Sequence, residues 1–285
     1  MIISIASGKG GTGKTTVAVN LATMFDENIQ FLDCDVEEPN AHIFLKPSIE
    51  RQIPIFLKFP KVDYSKCNFC GLCAKECNFN ALSVIKPTEK MNGMWIIFEH
   101  LCHGCGVCSY FCPQQALSEK EEEIGKIRLG KSNNIIFMDG TLNVGEAISP
   151  PIIKEMKKKI DKNKITIIDA PPGTTCPMVE AVKDSDFCLL ITEPTPFGIH
   201  DLKLAVEVVK NLKIDFGIII NKAGIGDKKI YEYCKRESID IIEEIPFEKE
   251  KAKAYSEEKI LVKHFPDLKS KFENIKKYIL EKRRK

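Results

Sequence analysis

The sequence predicts an α/β fold, with a mostly parallel sheet that carries helices on both faces. Short β-branched runs bounded by turn residues recur along the chain, at positions 2–6, 29–32, 135–138, 165–168, 187–192, 216–220 and 241–245. Stretches with helical periodicity separate these runs, for example 15–25 and 201–212. Strands that alternate with helices form parallel sheets that are covered on both sides.

The composition narrows the class of protein. The chain has 285 residues, of which 44% are hydrophobic, and its 42 lysines and arginines nearly balance its 40 aspartates and glutamates. This apolar content is enough for a packed core, and the near-neutral charge argues against a protein that coats nucleic acid. No apolar run approaches the roughly 20 residues that span a bilayer. We therefore expect a cytoplasmic chain with protein partners and no nucleic-acid partner.

The distribution of the 12 cysteines divides the chain. Eight of them lie at positions 67–112, in two copies of the spacing C-x2-C-x2-C-x3-C. The β-branched runs resume after this block as if it were absent. We therefore predict one α/β domain made of residues 1–60 and 120–285, interrupted by a small cysteine-rich domain at 61–119.

A glycine-rich loop follows the first predicted strand and precedes a helix. It consists of Gly8, Lys9, Gly10, Gly11, Thr12, Gly13, Lys14, Thr15 and Thr16. It fits the pattern G-x-x-x-x-G-K-[ST], in which backbone N–H groups close around phosphate oxygens and the helix N-terminus adds its dipole. Lys14 is predicted to bind the β and γ phosphates of a nucleotide, and Thr15 is predicted to bind Mg²⁺.

The additional lysine, Lys9, makes this loop more specific. The sequence K-G-G-x-G-K-T resembles the deviant Walker A loop of the MinD/ParA/Mrp class, which are SIMIBI-type P-loop ATPases. The resemblance implies that the nucleotide is ATP and that ATP binding produces a homodimer. It also implies that Lys9 reaches across the dimer to the phosphates of the partner.

Further motifs of this class follow later strands in the expected order. Asp33 and Asp35 resemble switch I, which implies that Asp35 orients the attacking water and that Asp33 lies near the magnesium. Asp169 begins a segment that resembles switch II, which implies that it holds the magnesium shell. Asn221 resembles the adenine-reading asparagine, and Pro246 would flank the base. The resemblance thus makes Lys9, Lys14, Asp35 and Asp169 the candidate catalytic residues.

The cysteine spacing predicts two [4Fe–4S] clusters. Disulfides are rare in reducing compartments, so these thiols are predicted to bind metal. The spacing is that of a bacterial-type two-cluster ferredoxin, an α+β domain in which the fourth cysteine of each copy ligates the other cluster. The predicted ligand sets are Cys67, Cys70, Cys73 and Cys112 for the first cluster, and Cys77, Cys102, Cys105 and Cys108 for the second. Zinc bound by four cysteines remains the alternative.

One position departs from the usual pattern. Asn78 follows the fourth cysteine of the first copy, where the family has proline, as in Pro113 of the second copy. We expect this change to alter the local turn more than the ligation.

Several smaller signals complete the sequence analysis. Cys34, Cys188 and Cys234 are predicted to be small buried hydrophobic residues. Cys176 stands seven residues after Asp169, where the nitrogenase iron protein has a ligating cysteine, but the second cysteine that such a bridging cluster needs is missing here. The charged run at 119–131 is interpreted as a solvated linker.

The C-terminal stretch is predicted to be an amphipathic helix. Leu268, Phe272, Ile275 and Ile279 fall on one helical face, and the chain ends with basic residues at 282–285. We interpret the apolar face as packing on the sheet rather than binding a membrane.

Taken as a whole, the chain resembles MinD-superfamily ATPases that contain an inserted ferredoxin domain. The resemblance implies an ATP-binding, Mg²⁺-dependent ATPase that couples its nucleotide state to electron transfer with a redox partner protein. Two alternatives remain open. One is a carrier that passes clusters to an apo iron–sulfur acceptor, and the other is a positioning ATPase of the MinD/ParA kind, in which the eight cysteines would have no purpose.

Overall fold

The computed structural model describes residues 1–224 and 226–282, and its strands and helices alternate. The strands are β1 Ile2–Ala6, β2 Ile29–Asp33, β3 Ser48–Val62, β4 Leu82–Ile85, β5 Met94–Ile97, β6 Leu117–Ser132, β7 Ile135–Leu142, β8 Thr166–Asp169, β9 Phe187–Thr192, β10 Phe216–Ala223 and β11 Ile241–Pro246. The helices are α1 Lys14–Ala22, α2 Ala41–Leu45, α3 Leu72–Lys75, α4 Val107–Tyr110, α5 Pro150–Lys157, α6 Cys176–Val182, α7 Pro196–Asn211, α8 Lys229–Arg236, α9 Lys249–Ser256 and α10 Pro266–Lys282.

The main sheet has the strand order β11-β10-β9-β1-β8-β2-β7-β6-β3. Neighbouring strands from β11 to β7 pair in parallel, so the carboxyl ends of these strands meet at one edge. The register places Asp33 opposite Asp169 on one side and opposite Asp139 on the other. The predicted α/β fold with a mostly parallel sheet is therefore confirmed.

Two long strands, β3 and β6, form an antiparallel ribbon at the end of this order. Glu50, near the start of β3, forms an ion pair with Lys131, near the end of β6. Asp63, just after β3, donates its N–H to the carbonyl oxygen of Ala116, just before β6. The two strands therefore run in opposite directions. The interpretation of 119–131 as a linker is therefore wrong, because these residues lie within β6. Their charges suit a strand whose side chains are largely exposed.

The chain divides into two compact units. One comprises residues 1–52, 127–141 and 152–285, and the other comprises 53–126 and 142–151. The second unit contains α3, α4 and the antiparallel hairpin β4–β5. It also contains all eight cysteines of the two repeats, and their assignment to a ferredoxin domain stays a prediction.

The core of the first unit lies between the sheet and its helices. Buried residues of α1 and α10 join buried residues of the central strands in one apolar cluster. The four apolar side chains of the C-terminal helix, Leu268, Phe272, Ile275 and Ile279, are all buried in it, so the predicted packing is confirmed. Of the basic end, residues 283–285 lie outside the described residues. None of the helices that the structure describes is long and apolar enough to cross a membrane.

The four cysteines outside the two repeats differ in their exposure to solvent. Cys34, Cys188 and Cys234 are buried, as predicted. Cys176 is exposed at the first position of α6.

Candidate functional site

The glycine-rich loop connects β1 to α1 at the carboxyl edge of the sheet. Gly13 has a φ of 93° and directly precedes α1, and a side chain there would come within 2.3 Å of Asn221 Nδ2. Only glycine suits this position, because both the left-handed backbone and the close approach exclude a Cβ. The free N–H groups at the start of α1 can therefore face an anion.

Lys14 lies where three acidic residues can act on it. Its side chain is only 7% exposed. Burial lowers the pKa of Lys14, and Asp169, Asp35 and Asp33 oppose that change. The predicted phosphate-binding lysine and the predicted magnesium residues are thus brought together.

Asp169 is fully buried at the end of β8. Neither of its carboxylate oxygens has a hydrogen-bond partner within the part of the chain that the structure describes. Burial raises the pKa of Asp169 to about 7, although the nearby Thr15 hydroxyl and Lys14 oppose the rise. A buried carboxylate without a partner, next to a threonine hydroxyl, is the oxygen-donor chemistry that Mg²⁺ prefers.

The two aspartates of the predicted switch I differ in their surroundings. Asp33 is fully buried and accepts hydrogen bonds from the backbone N–H groups of Asp35, Asn40 and Ala41, at 3.2, 3.0 and 2.9 Å. Burial and the neighbouring Asp169 raise its pKa well above the ordinary value, against these hydrogen bonds. Asp35 is partly exposed, and burial raises its pKa to about 6 although Lys14 opposes the rise. Of the two, Asp35 is free to meet a water molecule.

Lys9 forms an ion pair with Glu193, the residue that follows β9. The other oxygen of Glu193 accepts a hydrogen bond from Lys222 Nζ at 2.9 Å, and Lys222 also donates to the Gly11 carbonyl oxygen at 3.2 Å. Burial opposes the ionisation of Glu193, but the hydrogen bonds from both lysines outweigh it and hold its pKa below the usual value. In this conformation Lys9 is held within its own subunit.

A cleft of about 390 Å³ lies beside the glycine-rich loop. Gly13, Asn221 and Pro246 line it, together with the half-exposed ring of Phe247. Its volume and largely apolar lining are those of a small-molecule site. Asn221 donates from Nδ2 to the Thr12 carbonyl oxygen at 2.8 Å, so here it braces the loop, and its predicted adenine contact stays a prediction.

The eight repeat cysteines line two separate cavities in the second unit. One cavity is lined by Cys67, Cys70, Cys73 and Cys112, and the other by Cys77, Cys102, Cys105 and Cys108. Each cavity therefore collects three cysteines of one repeat and the fourth cysteine of the other. This is the partition that the spacing predicts for two clusters. Within the described residues, no group of three or more histidine, cysteine, aspartate or glutamate side chains is arranged to hold a metal ion.

The two repeats have matching backbones. Cys77 Sγ accepts the Ala81 N–H and Cys112 Sγ accepts the Ala116 N–H, both at 3.3 Å. Asn80 and Gln115 occupy equivalent left-handed positions, with φ of 52° and 47°. The expectation that Asn78 alters the local turn is therefore wrong, because the first turn, with Asn78, makes the same hydrogen bond as the second turn, with Pro113.

Three functional candidates were not predicted from the sequence. Glu193 could have been noticed as an acidic residue directly after a strand, at the edge where such sheets bind ligands. Asp139 is fully buried beside Asp33 and accepts a 2.8 Å hydrogen bond from Arg128 Nε, a pairing between neighbouring strands that no motif announces. Trp95 lines the cavity of Cys67, Cys70, Cys73 and Cys112, and the cysteine spacing motif does not include a tryptophan.

Comparison with known proteins agrees with this geometry. A family model described as the CobQ/CobB/MinD/ParA nucleotide binding domain matches residues 3–262. An uncharacterized protein of Methanocaldococcus jannaschii is 33% identical over 286 residues, which is 98% of each chain. An iron-sulfur cluster carrier protein of Aquifex aeolicus is 23% identical over 290 residues, covering 93% of this chain and 63% of that protein.

Among solved structures, the cell division ATPase MinD of Pyrococcus furiosus has the same fold. Its TM-score is 0.58 at 20% identity, and the match covers 97% of this chain and 98% of that one. The glycine-rich loop, the aspartates at the strand ends and the family match over most of the length agree, and the chain belongs to the CobQ/CobB/MinD/ParA nucleotide-binding domain family.

Proposed function

We propose that this protein is an ATP-binding, Mg²⁺-dependent ATPase that couples its nucleotide state to electron transfer through two [4Fe–4S] clusters. The observation that carries the proposal is the partition of eight cysteines into two cavities, in a chain that also holds a P-loop. A positioning ATPase needs the P-loop but has no use for these cavities.

The nucleotide half of the proposal assigns a task to each residue of the first unit. The glycine-rich loop and Lys14 bind the phosphates, and Thr15 and Asp169 hold the magnesium shell, with Asp33 nearby. Asp35, which is partly exposed, orients the attacking water. Lys9 must leave Glu193 to reach the phosphates of a partner subunit, so the active form is a homodimer.

The redox half depends on whether the cavities suit a cubane. Thiolates that share one zinc ion converge on a single point at about 2.3 Å, whereas thiolates around a cubane each bind a different iron at its corners. Four cysteines around each cavity is the ligand number that a cubane takes, which supports the second arrangement. When bound, such clusters supply one-electron transfer at low potential.

The connection between the halves follows the chain. Asp33 accepts hydrogen bonds from the backbone at the start of α2, and α2 leads within three residues into β3. β3 in turn carries the chain into the unit with the cysteines. A change of Asp33 on nucleotide binding would therefore act on the segment that leads to the clusters.

Anaerobic purification with iron counting and electron paramagnetic resonance tests the redox half. We expect about eight iron atoms per chain and reduced cubane signals. Zinc in place of iron, or no metal in freshly purified protein, would contradict it.

Stopped-flow reduction of a redox partner protein tests the coupling. We expect ATP to change the rate of electron transfer in the wild-type protein and to have no effect on Lys14→Ala protein, which keeps the cysteines. Equal rates in the two proteins at saturating ATP would sink the coupling while leaving the clusters in place.

A second candidate function is cluster delivery to apo iron–sulfur proteins. The distant iron-sulfur cluster carrier relative and the exposed Cys176 favour it. ATP-stimulated transfer of iron to an apo acceptor, lost in Cys176→Ser protein, would favour the carrier. Clusters that stay bound through many turnovers would favour electron transfer.

A further inference from the structure

Trp95 stands out in the cavity of Cys67, Cys70, Cys73 and Cys112, which we call the first cavity. Its side chain is 8% exposed, and it lies on β5 opposite Val84 of β4, which lines the same cavity. The indole Nε1 is buried and has no hydrogen-bond partner among the residues that the structure describes. A buried N–H group without an acceptor is unfavourable, so such a group calls for a bound acceptor.

The indole shares this cavity with the four predicted ligands of the first cluster, Cys73 among them. The inorganic sulfides and thiolate sulfurs of a cubane bound there would be hydrogen-bond acceptors. A cluster would therefore supply the acceptor that the indole N–H lacks.

The cavity of Cys77, Cys102, Cys105 and Cys108, which we call the second cavity, differs in charge. Glu119 and Lys58 both line it, 3.6 Å apart, and the stacked rings of Phe79 and His103 lie at its wall. No charged side chain of the described chain lines the first cavity. The two sites thus differ in polarity although their backbones match.

We propose that Trp95 donates its indole N–H to a sulfur of the cluster in the first cavity and makes that cluster the easier of the two to reduce. This inference rests on the proposed function. A hydrogen bond to sulfur stabilises the reduced, more negative cluster and so raises its potential. At the second cavity Lys58 pairs with Glu119, so this ion pair adds no net charge there, and the difference between the two clusters is assigned to the Trp95 N–H. The first cluster is thus where an electron resides in the singly reduced protein.

The single tryptophan of the chain allows a test without mutation. Protein labelled with ¹⁵N-tryptophan carries one labelled indole, so pulsed electron paramagnetic resonance of the singly reduced protein reports on that indole alone. We expect a ¹⁵N coupling and an exchangeable proton coupling that disappears in D₂O. Absence of both couplings would overturn the proposal.

Redox titration of variants gives the second test. In Trp95→Phe protein we expect one of the two reduction steps to move to a more negative potential and the other to stay in place. Val84→Ala is the matched control, because it changes packing in the same cavity without removing a donor, and it should keep the exchangeable coupling. Both steps unchanged, or both shifted alike, in Trp95→Phe would contradict the inference. Wild-type protein without clusters would instead overturn the proposed function, and the inference with it.

Discussion

Asp169 is fully buried, and neither of its carboxylate oxygens has a partner in the described part of the chain. Such a group costs free energy when it is ionised, and a bound cation removes that cost. The sequence predicted a magnesium-binding role for Asp169 through its resemblance to switch II, and that role stays a prediction. It could not predict the missing partners, because these depend on how β1, β2 and β8 surround the carboxylate.

The pH dependence of stability follows from the raised pKa of Asp169. The folded-state pKa of about 7 lies above the usual 3.8, so the folded state binds the proton more tightly than the unfolded state does. The stability contributed by the protonated carboxyl is fully present below about pH 4 and is lost as the pH rises through about 7. Without Mg²⁺, we expect Asp169→Asn to increase the free energy of unfolding at pH 8, by on the order of 1 to 4 kcal/mol. Denaturant titration at pH 5 and pH 8 measures the difference, which should shrink at the lower pH.

Asp169→Asn should weaken the binding of Mg²⁺ and ATP, although it stabilises the ligand-free fold at pH 8. Asp169→Asn protein should lose the stabilisation that we expect Mg²⁺ and ATP together to give the wild type, since the carboxylate proposed to hold the magnesium shell is gone. Asp26→Asn is the control, because Asp26 is exposed. Stabilisation by Mg²⁺ and ATP that is equal in all three proteins would show that Asp169 does not serve the metal.

At the scale of elements, three adjacent strands bring together residues that are far apart in sequence. β1, β9 and β10 are neighbours, and Lys9, Glu193 and Lys222 follow or end them at the same edge of the sheet. The strand pattern of the sequence predicts that each of these three residues lies near the end of a strand. It does not predict that they contact one another, because that depends on the order of the strands in the sheet. For that reason the sequence predicted the task of Lys9 and missed its present partner.

Glu193 competes with phosphate for Lys9 in this arrangement. If the proposed homodimer forms, we expect Glu193→Gln to lower the ATP concentration needed for half-maximal dimerisation by about two- to fivefold, since the modest free-energy cost of breaking the Lys9–Glu193 ion pair is removed. Analytical ultracentrifugation over a series of ATP concentrations measures it. Glu207→Gln, which removes one exposed charge from α7, should leave the concentration unchanged. A higher ATP requirement in Glu193→Gln would indicate that Glu193 supports the dimer instead.

In the nine-stranded sheet, the strands that the sequence did not predict are β3 and β6. The seven predicted runs are rich in β-branched residues and, apart from 241–245, mostly buried, whereas these two strands carry exposed charged residues, for example Glu121 and Glu123 of β6. Apolar patterning therefore identifies strands in the core and passes over a ribbon that faces solvent. The repeated cysteine spacing was visible because it is local in the sequence, and its assignment to a ferredoxin domain stays a prediction.

At the scale of the whole molecule, the cysteine segment at 64–115 lies between two strands, β3 and β6, that are neighbours in the sheet. Asp63, just after β3, donates its N–H to the Ala116 carbonyl oxygen just before β6, at 2.7 Å. The ends of the cysteine segment at 64–115 are therefore close together, as expected for an insertion that a domain tolerates. Asn143 donates hydrogen bonds to the backbone carbonyl oxygens of Glu123 and Ile124. All three residues lie outside the cysteine segment, so its removal would leave these hydrogen bonds in place.

Excision of residues 64–115 tests whether the nucleotide site is independent of the cysteines. With Asp63 joined to Ala116 by an Asn-Gly turn, β3 and β6 would form a continuous hairpin. We expect the shortened chain to fold, to bind an ATP analogue with a Kd within about threefold of the wild-type value, and to contain no iron. Isothermal titration calorimetry measures the Kd, and iron analysis measures the iron content. Lys14→Ala in the shortened chain should abolish nucleotide binding if the P-loop is responsible. A folded but nucleotide-free shortened chain would mean that the cysteine segment completes the ATP site, and the two halves would then be one catalytic unit instead of an ATPase with an inserted redox domain.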